Sequence, residues 1–369
     1  MQKDLNYMLQ YKGRGERWLI VGDVHWSEYS SIYRKRGNKF SKRLESLINT
    51  LNWIEELAEQ NCCTKLIFLG DTFDRNDLNA NEITALQEVV WSTIPHVFLV
   101  GNHEGLMNDL STSSAHLLKL IPNVEVIDQP TLDYGFGYSV LYLPYILESE
   151  RKPLVEYYKQ CQSTEYCFVT QEVKKRIVFS HNDLKMQYGM FDSKIGFDLD
   201  EVAKSDFFVN GHIHNFMEVT PKLINLGNIC GANFSENAKH YPHHTMLFDP
   251  DSLDYAYIEN PYALNFYKFD VKSVAELNSE LLGIKDNSIM SIKAPQSIVA
   301  EVKQILESNV KIKEYRVITL PELVSTEDNA GPNTEVIESV NHLDEFIKFV
   351  KENMDYTETV QVELAEVCK

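Results

Sequence analysis

The sequence contains no hydrophobic run long enough to span a lipid bilayer. Its start, MQKDLNYMLQYKGRGERWLI, also lacks the apolar segment and small-residue cleavage site of a secretory signal. The six cysteines stand at irregular spacings in a chain of 369 residues, which is typical of reduced thiols and not of a disulfide framework. We therefore expect a cytoplasmic protein with no membrane-bound part.

Positive charge is also scarce. Lys and Arg total 35 against 54 Asp and Glu, which gives a formal net charge of −19. Such a balance disfavours nucleic acid as a partner. However, residues 321–369 alone hold 12 Asp and Glu against 3 Lys and Arg. Much of the acidic excess therefore belongs to the C-terminal tail, and a nucleic-acid partner is not excluded for the rest of the chain.

The order of apolar segments predicts a layered α/β core. Five short runs rich in β-branched and aromatic residues are typical of buried strands, and each stops at a polar cluster: RWLIVG, KLIFLG, HVFLVG, RIVFS and DFFVNG. Apolar residues from Phe40 to Leu57 recur at helical spacing, and further helices are expected at about 80–92 and 111–120. Four more strands, YSVLYLP, TMLFDP, DYAYIE and LNFYKFD, predict a mixed sheet or sandwich that closes near residue 270.

The C-terminal third predicts smaller parts. SIMSIKA, a helix that begins at Pro295 and VKIKEYRVITL indicate a small βαβ unit. STEDNAGPNT has the composition of a linker, and NHLDEFIKFVKEN has one apolar helical face. We expect a main domain over 1–270, a small α/β domain over 271–322, a linker over 323–335 and a helical tail over 336–369.

Metal-ligating residue types follow the five predicted strands. Asp23 and His25 are two residues apart, so on an extended backbone both side chains point to one side. Asp71 stands where a carboxylate can bridge two cations, and Asn102 offers a neutral oxygen. His181, His212 and His214 add imidazoles, which are common ligands of manganese, iron and zinc.

Each of these segments by itself has an ordinary explanation, such as an Asp-rich turn or a buried structural histidine. Five of them in order, each at the end of a predicted strand, predict a single site, because ligands gather beyond the carboxyl ends of strands in open α/β sheets. His103, next to Asn102, points elsewhere and is available for proton transfer.

Asp-x-His, Gly-Asp-x-x-Asp, Gly-Asn-His-Glu, a lone His and Gly-His-x-His together resemble the calcineurin-like metallophosphoesterases over roughly residues 17 to 260. The resemblance implies a four-layer αββα sandwich. It implies that Asp23, His25 and His214 hold one metal ion, that Asn102, His181 and His212 hold a second, and that Asp71 bridges the two. It also implies that His103, oriented by Asp74, protonates the leaving oxygen.

Two subfamilies compete for the substrate. The serine/threonine protein phosphatases share Arg75 and Glu104, but this chain has Trp26 and Asn76 where they have glycines. The SbcD-type DNA repair nucleases are similar in Gly-Asp-x-Phe-Asp and Gly-His-x-His, and they have a small capping domain and a helical segment that docks on a coiled-coil ABC ATPase of the SbcC type. The same motifs are also compatible with a small-molecule phosphatase and with a DNA-end scaffold whose catalysis is dispensable.

The SbcD resemblance implies a manganese-dependent nuclease, a homodimer with 3′ to 5′ exonuclease and single-strand endonuclease activity. A basic run, RKRGNKFSKR, follows the first metal-binding segment. Side chains in it are candidate contacts to DNA phosphates, although such a run is also typical of a solvated helix start. The candidates are Arg34, Lys35, Arg36, Lys39, Lys42 and Arg43.

Overall fold

The computed structural model describes residues 15–29, 39–106, 109–161, 174–188 and 191–320. Its largest elements are two six-stranded sheets. The first sheet has four mutually parallel strands, and the strand beside them, His244–Asp249, pairs antiparallel with both of its neighbours. The spatial order is Asp254–Glu259, His244–Asp249, Trp18–Val21, Lys65–Phe68, His96–Leu99 and Val124–Ile127. Trp18–Val21 and His96–Leu99 are buried at every residue, as the apolar runs WLIV and HVFL require of strands covered on both faces.

The second sheet also has a parallel centre, with one antiparallel strand at each edge. Its spatial order is Met217–Thr220, Leu223–Asn225, Phe207–Asn210, Lys175–Ser180, Tyr138–Leu143 and Thr131–Tyr134. Three two-stranded pairs accompany the large sheets: Gly105–Leu106 with Asp109–Ser113, Leu184–Lys185 with Phe197–Asp198, and Gln187–Tyr188 with Phe191–Asp192.

The two sheets face each other across an apolar core. Ile20, Ile67 and Leu99 from the first sheet pack with Phe179 and Val209 from the second. The outer face of each sheet carries helices. The helix Lys42–Gln60 covers the first sheet, and the helices Leu154–Cys161 and Leu199–Val202 cover the second. The layers therefore run helix, sheet, sheet, helix.

The helix Lys42–Gln60 forms where the apolar spacing predicts one. Ser41 caps it by accepting a hydrogen bond from the Leu44 backbone N–H, and Leu44, Leu47 and Leu51 on its inner face are buried. The helix predicted at 80–92 is shorter than expected. It spans Ala80–Leu86, and residues 87–89 then bond three residues back instead of four.

The helix predicted at 111–120 is also different. Asp109–Ser113 is a strand, and Ser114–Leu120 is a 3₁₀ helix. The Ser113 hydroxyl caps it by accepting from the Ala115 N–H, which stabilises a helical start at residue 114.

The C-terminal part of the described chain is a three-stranded parallel sheet, Asn265–Asp270, Ser288–Pro295 and Ile312–Leu320, with helices Val274–Leu281 and Val299–Ser308. Short 3₁₀ turns at Gln296–Ile298 and Glu148–Glu150 complete the elements. The strand Asn265–Asp270, assigned by sequence to the main domain, pairs in this small sheet. The predicted boundary at 270/271 therefore falls one strand too late. The predicted linker and helical tail lie outside the described residues.

Among the helices in the described ranges, none is both long and apolar enough to cross a membrane.

Candidate metal centre

The predicted ligand segments leave the carboxyl ends of parallel strands in both sheets. Asp23, Asp71 and Asn102 follow three neighbouring strands of the first sheet, and His181 and His212 follow two neighbouring strands of the second. Because parallel strands end at one edge of a sheet, these turns lie side by side. Backbone hydrogen bonds join them: the N–H groups of residues 24 and 25 both donate to the Asp71 carbonyl oxygen, at 3.2 and 2.9 Å.

One group of potential ligands consists of Asp23, His25 and His214. Their ligand atoms all lie within 4.8 Å of one another. Asp23 and His25 are buried, and the ring centroids of His25 and His214 are 4.5 Å apart. These are the three residues assigned by resemblance to one metal ion.

The second group consists of Asp71, His181 and His212, again with ligand atoms within 4.8 Å. Asn102 lies among them, since its Oδ1 is 3.2 Å from His181 Nε2 and 2.9 Å from His212 Nδ1. Asp71 Oδ2 is 3.1 Å from His181 Nε2 and 3.8 Å from His25 Nε2, which places this carboxylate between the two groups.

The unpaired polar atoms fit a cation at each group. Asp23 Oδ2 and His25 Nε2 are buried and have no hydrogen-bond partner. In the second group, His181 Nδ1 is 2.8 Å from the Leu69 carbonyl oxygen and His212 Nε2 is 3.1 Å from Asp183 Oδ1. In a neutral ring the other nitrogen then carries a lone pair. Those lone pairs both face the Asn102 oxygen, which is also an acceptor. Such an arrangement is stable only when a metal ion or a proton lies between these atoms.

The turns that carry the ligands are under backbone strain. His25, Asp71 and His212 have φ values of 50°, 46° and 72°, in the left-handed region that L residues rarely adopt. Each such residue costs of order 1–3 kcal/mol, and strain of this kind is concentrated at functional sites. Gly70, with φ of 110°, is required at its position because a Cβ there would lie 2.4 Å from His181 Nδ1.

Asp74 and His103 lie together, and the contact is made by the backbone of Asp74. The backbone carbonyl oxygen of Asp74 accepts a hydrogen bond from His103 Nδ1 at 2.9 Å. The Asp74 carboxylate instead contacts His25 Nδ1 at 3.1 Å. The backbone of Asp74 therefore orients the candidate proton donor, while its side chain orients a candidate metal ligand.

Sequence reasoning missed two carboxylates at this site, Glu236 and Asp183, and named Glu104 without its supporting role. Glu236 accepts a hydrogen bond from His214 Nδ1 at 2.7 Å, and Asp183 lies behind His212. Glu104 accepts from the Phe73 and Gly101 N–H groups at 2.9 and 2.7 Å, which ties two ligand turns together. Asp183 stands two residues after His181, and this spacing could have indicated that both side chains point to the same site. Glu236 stands in no comparable motif.

The charges at the site shift its titrations. Burial by itself would lower the pKa of His181, but the adjacent Asp71 raises it to about 9. Burial also opposes the charged form of His214, and its hydrogen bond to Glu236 raises the pKa to about 9. Burial would raise the pKa of Asp71, yet His181 holds it well below its usual range. Asp71 is therefore kept ionised beside protonated histidines, whereas burial raises the pKa of the Glu104 carboxyl to about 8.

The basic run is only partly described. Arg34, Lys35 and Arg36 lie outside the described residues, whereas Lys39 pairs with Glu88 and Lys42 with Glu45 on the protein itself. Arg43 is buried and donates to the carbonyl oxygens of His25 and Gly231, both at 3.2 Å. The prediction that Arg43 contacts DNA is therefore wrong, because its guanidinium faces the interior.

Residues 17–216, more than half of the chain, match the family described as calcineurin-like phosphoesterase. This chain is a calcineurin-like phosphoesterase. A comparison with curated proteins gives no significant match. Members of the family use a dinuclear metal centre, and the two groups of His and Asp residues are suited to hold it. The chain is thus a metal-dependent phosphoester hydrolase with a mixed α/β fold.

Proposed function

We propose that this phosphoesterase is a DNA nuclease of the SbcD type that acts in the cytoplasm with two divalent ions, most suitably Mn²⁺. In this proposal the ions are held by Asp23, His25, His214, Asp71, Asn102, His181 and His212. The observation that carries the hydrolytic chemistry is the convergence of these side chains into two groups around one carboxylate, Asp71. The imidazole-rich donor set favours manganese or iron over magnesium.

When bound, two divalent ions polarise phosphoryl oxygens and lower the pKa of water. The protein supplies the proton for the leaving oxygen. His103 is exposed, and its Nδ1–H is committed to the Asp74 carbonyl, so Nε2 is the nitrogen that delivers a proton. The Asp74 carboxylate lies within 4.8 Å of the ring nitrogens of His25 and His103 that face it.

A phosphodiester is supported over a protein phosphomonoester by Arg75. In a protein phosphatase, this guanidinium would bind a terminal phosphate. Its Nη2 instead lies 2.6 Å from the buried Glu82, and its Nε donates to the Asp77 carbonyl at 2.9 Å. Glu82 in turn accepts from the Asn79 N–H, so the guanidinium is held in a closed local network.

The surroundings of the site also favour a large substrate. Trp26 and Phe73, the residues that resemble the nuclease form of the motifs, are fully buried and pair as neighbouring backbone segments beside the ligand turns. A cleft of about 880 Å³ is lined by Pro144, Tyr145 and Leu147, and the ring of Tyr145 lies 5.7 Å from that of His212. Ligand clefts of this size bind molecules much larger than phosphate.

The small C-terminal sheet is consistent with a capping unit. Ala238, from the loop just after Glu236, packs among its buried residues, and the Ala238 N–H donates to the Phe266 carbonyl oxygen at 2.8 Å. The unit is thus connected to the loop that supports His214. The partnership with an SbcC-type ATPase through residues 336–369, the homodimer and the DNA contacts of the basic run other than Arg43 remain parts of the proposal.

The substrate is tested by incubating the purified chain and Mn²⁺ with end-labelled linear duplex, single-stranded DNA and a phosphopeptide. We expect metal-dependent shortening of DNA, lost in Asp71→Asn. Hydrolysis of the phosphopeptide with intact DNA would overturn the nuclease proposal. Truncation at about residue 325 should retain the nuclease activity but abolish ATPase binding. Continued binding of the ATPase would contradict the role of the tail.

The proton donor is tested by His103→Asn. We expect DNA hydrolysis to fall by about 10²–10⁴-fold, because proton transfer to the leaving oxygen contributes on this order. Bis(p-nitrophenyl) phosphate should lose much less activity, since p-nitrophenolate departs without a proton. An equal loss on both substrates would contradict the assignment, and unchanged metal stoichiometry is the control.

A further inference from the structure

Three of the four histidines of the candidate metal centre, His181, His212 and His214, do not all present the same nitrogen. His181 donates from Nδ1 to the Leu69 carbonyl oxygen, and His214 donates from Nδ1 to Glu236, so each directs Nε2 to its ligand group. His212 is reversed. Its Nε2 contacts Asp183 Oδ1 at 3.1 Å, and its Nδ1 faces Asn102 Oδ1 at 2.9 Å. The orientation of this ring therefore depends on what lies behind it.

Asp183 is held in place by its own neighbours. Its carbonyl oxygen accepts a hydrogen bond from the Phe197 N–H at 3.0 Å. Gly196, with φ of 111°, approaches so closely that a Cβ would lie 2.3 Å from the Asp183 carbonyl group. The backbone of Asp183 is thus fixed before its carboxylate meets His212.

Arg151 approaches the other side of the same carboxylate. Its Nη2 lies 3.8 Å from Asp183 Oδ2 and donates to the Ile146 carbonyl oxygen at 2.8 Å. Its Nη1 pairs with Glu148, and the guanidinium lies 5.3 Å from the centre of the Phe197 ring. Only 6% of the side chain is exposed. Arg151 is therefore unsuited to bind a substrate phosphate in the cleft.

The same residues form a closed series of contacts, here called the bracket, around the Asp183 carboxylate. Glu148, which pairs with Arg151, also accepts a hydrogen bond from the Gly196 N–H at 3.0 Å. The bracket runs from Asp183 to Arg151 and Glu148, and it returns through residues 196 and 197 to Asp183. It joins the segment after the strand Tyr138–Leu143 to the segment after His181. A hydrogen-bond acceptor behind a metal-binding histidine fixes both its tautomer and its ring orientation.

We propose that Arg151 and Asp183 are positioning residues that commit His212 to bind its metal ion through Nδ1. The Arg151 guanidinium and the fixed backbone of Asp183 hold its carboxylate against His212 Nε2–H, and His212 Nδ1 then faces the group formed by Asp71, Asn102 and His181. The inference concerns the metal centre alone and holds whichever phosphoester is hydrolysed. A loss of nuclease activity without a change in metal binding would therefore not support it.

The main experiment measures metal binding to the full chain without substrate. Arg151→Met keeps the length and apolar contacts of the side chain but removes its charge. We expect isothermal titration with Mn²⁺ to show one of two sites weakened by about 10–100-fold and the other unchanged. Asp183→Ala should weaken the same site, and Arg151→Lys should restore part of the affinity. Arg176→Met, at a guanidinium over the Tyr158 ring, is the matched control and should bind both ions normally.

A second measurement reads the tautomer directly. In zinc-loaded protein with ¹⁵N-labelled histidine, long-range ¹H–¹⁵N correlations should show His212 protonated at Nε2 and metal-bound at Nδ1. This pattern should be lost in Asp183→Ala while those of His181 and His214 persist. The proposal is overturned if His212 binds through Nε2, if both sites weaken equally in Arg151→Met, or if neither site changes in the folded variants.

Discussion

Metal binding should release close to one proton per ion at pH 7. Each ligand group contains one histidine with a pKa of about 9, His214 in the first group and His181 in the second. At pH 7 these rings are protonated, and a metal ion must displace the proton to reach the lone pair. Because pH 7 lies two units below this pKa, displacing the proton weakens the apparent metal affinity of each site roughly hundredfold, or by about 3 kcal/mol.

The assay is isothermal titration with Mn²⁺ between pH 6.5 and 8.5, in buffer pairs that differ in ionisation enthalpy. The apparent affinity of each site should rise about tenfold per pH unit and level off near pH 9. A flat affinity over this range, or no difference in heat between buffers, would refute the assigned pKa values.

Glu236→Gln provides a sharper form of the test. Because Glu236 raises the pKa of His214, its neutral replacement should reduce the protons released at the first site and leave the second unchanged. Glu55→Gln is the matched control. Glu55 is also buried and bonded to a histidine, His96, at 2.9 Å, but the pair lies outside the ligand groups. Equal effects of the two substitutions would contradict the assignment of the proton to His214.

Three further outcomes are expected. The metal-free protein should lose thermal stability as the pH rises from 7 to 10, because histidine pKa values raised from 6.5 to about 9 stabilise the fold fully below pH 6.5 and cease to do so above 9. Gly70→Ala should destabilise the protein to urea by about 1–3 kcal/mol and weaken metal binding, whereas Gly283→Ala, whose added Cβ would meet no atom within 4 Å, should not. Arg43→Met should lower stability and metal affinity by releasing the strained backbone of His25, with no change in the salt dependence of DNA binding; a reduced salt dependence would restore Arg43 as a phosphate contact.

The strands and the positions of the ligand segments were predictable because they depend on local pattern. A strand such as WLIV or HVFL is stable only where other parts of the protein cover both of its faces. The polar residue that follows marks the end of the strand. The helix Lys42–Gln60 was predictable for the same reason. The same helical spacing also indicates that Arg43 is buried, although the basic segment around it favoured an exposed position. Arg43 stands four residues before Leu47, on the buried face of the helix.

The supporting contacts were not predictable, since they join distant parts of the chain. His25 meets the Asp74 carboxylate across 49 residues, and His214 meets Glu236 across 22. The strand Asn265–Asp270 looks like its predecessors in sequence, and only its pairing with Ser288–Pro295 assigns it to the small sheet. A strand's partner depends on the path of the whole chain, whereas its existence depends on a few residues.

The sequence by itself determined the kind of chemistry, because parallel strands bring the residues at their carboxyl ends to one edge whatever the loops do. The tertiary structure alone decided which atom of each residue acts. In the folded chain the backbone of Asp74 contacts His103 while its carboxylate contacts His25. Arg43 points into the interior, and Asp183 lies behind His212. Hydrogen bonds are short and directional, so these roles are fixed only when the loops of both sheets are packed together.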